Sequence, residues 1–142
     1  MNLEKELNFA KLLAKDAGKI MHKYFDSADM DTEWKYDISP VTKADTEINS
    51  MVIQRVREAF PEHAVIGEEE SNDIDAKYVW LCDPVDGTLN YAAGVPLATF
   101  SLALVDKTDG QPVIAVIYDP FCGRLWDASK SHVSLNGRPC RV

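Results

Sequence analysis

The string Asp83-Pro84-Val85-Asp86-Gly87-Thr88-Leu89-Asn90 holds the most concentrated chemistry in the chain. Its two carboxylates stand three residues apart, directly after an apolar run at 78–82 that has strand character. At the end of a strand, two such groups can converge on one hard cation or on a pair of them. Pro84 fixes the local backbone and removes an amide donor, which leaves the Val85 carbonyl free to serve as a further oxygen ligand. Gly87 lets the backbone approach a ligand closely. The amides of Gly87 and Thr88 are placed to open a short helix and to hold a phosphate there. The plainer reading is an acidic turn between strand and helix with Asp86 as a cap. An eight-residue string favours the chemical reading.

Periodicity indicates the elements that must position this string. Leu3, Leu7, Ala10, Leu13, Ala14, Ala17, Ile20, Met21 and Tyr24 recur at three- and four-residue steps and predict one amphipathic helix over 3–25. Residues 26–39 are polar and mixed. There, Trp34 and Tyr36 alternate with charges and suggest a short strand or exposed hairpin. A second helix follows Pro40: Thr42 can cap it, Asp45 sits in its first turn, and Ile48, Met51, Val52 and Val56 form its stripe. Pro61 closes it. Short β-rich runs follow at 64–66, 78–82, 97–105, 112–118 and 124–128, with turn signals at Asp109-Gly110 and Asn136-Gly137. Two long helices packed on a mainly antiparallel sheet make an α+β fold, and residues 1–142 read as a single domain.

The chain has 142 residues and a net charge of −8, so nucleic acid or an anionic membrane is excluded as the main partner. A phosphorylated small molecule is not excluded, because bound divalent cations invert the local sign of charge. The three cysteines form no CxxC pair, and Cys82 reads as a small core residue. No signal peptide and no membrane-length apolar run is visible, and a reducing cytoplasm is the expected location. His22, His63 and His132 have no partner pattern and are expected at the surface.

The string at 83–90 resembles the D-P-(I/V/L)-D-G-T-x-N motif of the inositol monophosphatase family, whose members also act on fructose bisphosphate, histidinol phosphate and adenosine bisphosphate. Val65-Ile66-Gly67-Glu68-Glu69 is similar to the family's I-G-E-E element, and Val41-Thr42-Lys43-Ala44-Asp45 to its V-T-x-x-D element. Lys35 lies where a family lysine precedes that element, and Leu135-Asn136-Gly137 looks like the L-N-G hairpin. The resemblance implies that Glu68, Asp83 and the Val85 carbonyl hold one Mg2+, and that Asp83 bridges to a second, also bound by Asp86. It implies that Thr88, assisted by Asp45 and Glu68, orients and deprotonates a water on the metal, while the Gly87 and Thr88 amides bind the phosphate. Phosphoryl transfer by this route needs positioned water and neutralised oxygens but no covalent nucleophile.

Family members are nearly twice as long, and the α/β second half that supplies another metal ligand and most sugar contacts is absent here. Trp126-Asp127-Ala128 superficially resembles the W-D-x-A-A-G motif of that half, but it precedes the Asn136-Gly137 turn, and Asp127 reads as structural. The resemblance therefore implies a phosphatase half acting on an inositol or sugar phosphate, with histidinol phosphate as the nearest rival. The alternative is a non-catalytic metal-binding or assembly module. An apolar sheet face left open by the missing half leads to the expectation of a homo-oligomer, a twofold dimer in particular.

Overall fold

The computed structural model describes residues 3–27, 32–35 and 40–140. The first apolar stripe forms α1 (Glu4–Phe25), which buries Ala10, Leu13, Ala14, Ala17, Gly18 and Met21. A Cβ at Gly18 would lie 2.4 Å from the Tyr118 ring, so this glycine lets α1 settle close onto the sheet. The second stripe forms α2 (Lys43–Ala59) and buries Ala44, Ile48, Val52 and Val56. Its start is fixed as the sequence suggests: the Thr42 amide donates to Asp45 Oδ2 at 2.8 Å, satisfying a donor left free by the helix.

A two-stranded antiparallel ribbon of β1 (Glu33–Trp34) and β2 (Pro40–Val41) precedes α2; β1 supplies the short strand, one of the two readings of residues 26–39, and Tyr36 lies outside the described residues. The main sheet comprises β3 (Ala64–Gly67), β4 (Ser71–Asn72), β5 (Tyr78–Asp86), β6 (Thr99–Asp106), β7 (Gln111–Asp119), β8 (Arg124–Ser129), β9 (His132–Leu135) and β10 (Arg138–Pro139). Their spatial order is β10-β9-β8-β7-β6-β5-β3-β4. Every pair is antiparallel except β3 with β5, which run parallel from Ala64↔Val79 to Gly67↔Cys82. Asn136 and Gly137 both adopt positive φ, 51° and 75°, as a two-residue hairpin turn requires.

Side chains alternate across each strand, so the sheet has two distinct faces. Trp80, Phe100, Leu102, Leu104, Ile114 and Val116 join the stripes of α1 and α2 in one core. The opposite face carries the cross-strand row Ile66, Leu81, Ala103, Ala115, Ala128 and Val133. Ile66, Leu81 and, one step along β7, Ile117 are more than 39% exposed there.

The histidine expectation needs a correction. His63 is buried; its Nδ1 accepts a hydrogen bond from Trp80 Nε1 at 3.2 Å, and its ring stacks on Phe60 at 5.0 Å. Burial holds its pKa below the ordinary value. Cys82 is buried, as its reading as a core residue expects, and burial pushes its thiol pKa well up. Asp127 is structural: Ser134 Oγ donates to it at 2.5 Å, and Lys11 Nζ and His132 Nε2 lie 3.0 and 3.1 Å from its Oδ2. No helix of the described residues is long and apolar enough to cross a membrane.

Since Leu104 is fully buried between sheet and helices, Leu104→Ala should lower stability by about 2–5 kcal/mol in urea unfolding. Leu12→Ala, at a position 62% exposed on α1, should stay within about 0.5 kcal/mol of the parent. Equal losses would contradict the placement of the core.

Candidate metal and phosphate site

The parallel pairing of β3 with β5 sets Gly67 beside Cys82, and the next amide, Glu68 N–H, donates to the Cys82 carbonyl at 3.2 Å. Glu68 therefore leaves the sheet next to Asp83. The β5–β6 ladder runs in register to Asp83↔Ser101 and resumes at Asp86↔Thr99, so Pro84 and Val85 form a bulge. A bulge re-aims side chains, and here it carries the motif inside the strand end rather than after it. Gly87 follows with φ of 93°, and a Cβ there would lie 2.9 Å from the Leu97 carbonyl; only glycine fits. Thr88 then opens the short helix α3 (Thr88–Ala92).

Asp45 arrives from the start of α2. Its Oδ2 accepts from the Thr42 amide and hydroxyl, and its Oδ1 lies 3.2 Å from Thr88 Oγ1. The Thr88 hydroxyl also lies 2.7 Å from the Val85 carbonyl, to which it donates its single proton at the shorter distance. Asp45, Glu68, Asp83, Val85, Asp86, Gly87 and Thr88, which come from one strand, the bend after another, a turn and two helices, thus share one end of the sheet.

Electrostatics there are severe. Burial, then the Glu68 and Asp86 charges, a hydrogen bond with Glu68 and the Asp45 charge push the Asp83 carboxyl up to about 7. Asp83 Oδ1 is buried with no hydrogen-bond partner. Asp45 is only 1% exposed, and burial raises its pKa although the Thr42 and Thr88 hydrogen bonds oppose the shift. Lys35 partly offsets the crowding, with Nζ 2.7 Å from Glu69 Oε1 and 3.3 Å from Glu68 Oε1. Burial alone would lower its pKa, but the hydrogen bonds to Glu69 and Glu68 prevail and raise it.

Among the described residues, no three His, Cys, Asp or Glu side chains already form a closed metal cage. The donor set still suits a hard cation: it is all oxygen, it is net negative, and it contains the orphaned Asp83 Oδ1. Two residues escaped the sequence reading. Lys35 carried no assigned role, and Asn49, buried on α2, was not singled out. Its signal was faint: Asn49 lies one helical turn beyond Asp45, on the side that also carries Ile48 and Val52.

Residues 2–142 match the sequence profile of the inositol monophosphatase family, and the chain belongs to that family. A histidinol-phosphatase of Streptomyces coelicolor is 33% identical over 135 residues, which cover 94% of this chain and 51% of the relative. Inositol monophosphatase 1 of Solanum lycopersicum is 33% identical over 148 residues, covering 99% of this chain and 53% of its own. The crystal structure of extragenic suppressor protein suhB from Bartonella henselae superposes with a TM-score of 0.90 at 27% identity, over 97% of this chain and 54% of that one. The chain spans about half the length of the curated relatives it matches and corresponds to the amino-terminal half of their fold.

The Asp83 shift fixes a sign. A carboxyl raised in the folded state binds its proton more tightly there, so its contribution to stability is present below pH ~4 and is lost as pH rises toward about 7. With divalent cations chelated, the melting temperature of the parent should fall more between pH 4 and 7.5 than that of Asp83→Asn. Parallel curves would show that Asp83 is not under this strain.

Proposed function

We propose that this chain is the amino-terminal catalytic half of a magnesium-dependent phosphomonoesterase acting on a small inositol or sugar phosphate. The observation that supports it is Asp83: a half-buried carboxyl with a buried, unpartnered oxygen, beside the charges of Glu68 and Asp86. Like charges at this spacing are tolerated when a cation is shared among them. In this reading Glu68, Asp83 and the Val85 carbonyl would hold one Mg2+, and Asp83 with Asp86 would hold a second. Bound magnesium neutralises phosphoryl oxygens and lowers the pKa of water.

The chain's own residues do the rest. The Gly87 and Thr88 amides hold the phosphate at the mouth of α3. When Thr88 turns its proton from the Val85 carbonyl to Asp45, its oxygen is free to accept a hydrogen bond from the attacking water. Asp45, with its raised pKa, then receives the proton with help from Glu68. Water oxygen bonds to phosphorus as the ester P–O bond breaks in line, and the departing alkoxide takes a proton from solvent to leave as the alcohol. The relatives include a histidinol-phosphatase and an inositol monophosphatase at the same identity, so both esters belong in the test. Three free cysteines suit the reducing cytoplasm as its location.

Phosphate release from inositol monophosphate and histidinol phosphate, with magnesium, should fall at least about 100-fold in Asp83→Asn. Thr88→Ala and Asp45→Asn should lower the rate more than they weaken magnesium binding, since they act on the water. A parent rate no higher than that of Asp83→Asn would overturn the catalytic reading. Metal binding retained in that case would favour a non-catalytic metal-binding module.

The same proposal includes a twofold dimer through the open face. Six strands at ~4.8 Å spacing and about 20 Å of length offer roughly 500 Å² per copy, about the 1,000 Å² total that a stable interface needs. A twofold axis along the strands would set Ile66 and Leu81 of one copy against Val133 and Ala128 of the other, large residues against smaller ones. Sedimentation at tens of micromolar should give a dimer that Ile117→Lys converts to monomer. A monomeric parent, or a dimer indifferent to that substitution, would remove this assignment.

A further inference from the structure

The loop that carries Glu68 bears three consecutive glutamates, Glu68, Glu69 and Glu70, at the tip between β3 and β4. Such a tip has every electrostatic reason to splay into water. It is instead gripped from beneath. Asn49, 1% exposed on α2, donates from Nδ2 to the Glu70 carbonyl at 3.0 Å. Its Oδ1 lies 3.3 Å from the Glu69 amide, which donates to it. The Gly67 amide closes the loop with a second bond to the Glu70 carbonyl at 3.1 Å. A Cβ on Gly67 would stand 2.1 Å from Asn49 Oδ1 and 2.4 Å from the Glu70 carbonyl, so the side chain of Asn49 fills the space a larger residue would need.

We propose that Asn49 is a positioning residue for the cation site: its amide locks the 67–70 tip so that Glu68 is presented to Asp83. The inference rests on the metal-site reading above and extends it to a residue that touches neither cation nor phosphate. Three features support it. Asn49 uses both ends of its amide on two successive residues of one loop, and a buried amide is retained where both its polar ends are satisfied. Those residues immediately follow Glu68. The opposite anchor, the Glu68 amide on the Cys82 carbonyl, fixes only the backbone on the β5 side, so the tip needs a second hold. Lys35 reaches the same tip from the surface, but it binds the carboxylates themselves and competes with a cation, whereas Asn49 binds only backbone.

The test compares Asn49→Ala with Val56→Ala, a buried core truncation on the same helix and remote from the loop. Two quantities are read: manganese affinity by calorimetry, and hydrogen exchange of the Glu69 amide in metal-free protein. Asn49→Ala should weaken manganese binding by about 10–100-fold, the usual effect of losing an outer-shell partner, and should speed Glu69 exchange. Val56→Ala should lower urea stability with neither change. Gly67→Ala attacks the clamp from its other side and should reproduce the Asn49→Ala result, which keeps the test decisive if Asn49→Ala fails to fold. Equal manganese affinity and equal Glu69 exchange in the loop and core variants would overturn the proposal. If the parent binds no manganese, the metal-site reading fails, and the Glu69 exchange rates alone decide whether Asn49 holds the tip.

Discussion

The partly buried Asp83 carboxyl, set beside the negative charges of Glu68, Asp86 and Asp45, is the constraint on which the site depends. Like charges repel more strongly where burial lowers the local dielectric, and Asp83 feels three carboxylates with part of its own surface buried. The crowding follows from one topological choice, the parallel alignment of β3 with β5 in an otherwise antiparallel sheet. Parallel alignment points both strands the same way, so Glu68, the residue that leaves β3, emerges beside Asp83 near the end of the β5 ladder. An antiparallel pair would have sent them to opposite edges.

The remaining structure serves that alignment. Core residues such as Trp80 and Leu104 fasten the sheet to α1 and α2. With the sheet fastened, the start of α2 delivers Asp45 to Thr88. Gly18 permits the close seating of α1, and Gly67 leaves room for Asn49 under the glutamate tip. The buried Asp127 and Ser134, with the half-buried Lys11 and His132, tie β8 and β9 to α1 at a different place in the sheet. There a carboxylate is offset by the Lys11 ammonium at 3.0 Å and bound by the Ser134 hydroxyl. Asp83 has no such partner.

Much of this was legible from residue types. Strong 3.6-residue stripes and an Asn136-Gly137 turn specify local geometry directly, so α1, α2 and β6 to β8 stand where periodicity puts them, whereas β9 carried no strand signal of its own. The motif at 83–90 was legible because its residue types and spacing are chemically specific. Direction was not: the four-residue β3 carries no mark that distinguishes a parallel partner from an antiparallel one. His63 looked like a surface residue because its partner, Trp80, lies 17 positions away. Asn49 was hidden for the same reason, since its value lies in a loop some 20 residues further along the chain. Local patterns predict elements well, whereas satisfied polar partners across the fold emerge only once the elements pack.

Whether one cation relieves the crowded carboxylates can be seen directly by crystallography on manganese-soaked protein, with anomalous scattering recorded at the metal edge. An anomalous peak in contact with Glu68, Asp83 and the Val85 carbonyl, with Glu68 released from Lys35, is the expected result. No peak at that end of the sheet, with the Lys35–Glu68 pair intact at saturating manganese, would contradict the shared-cation reading on which the proposed chemistry depends.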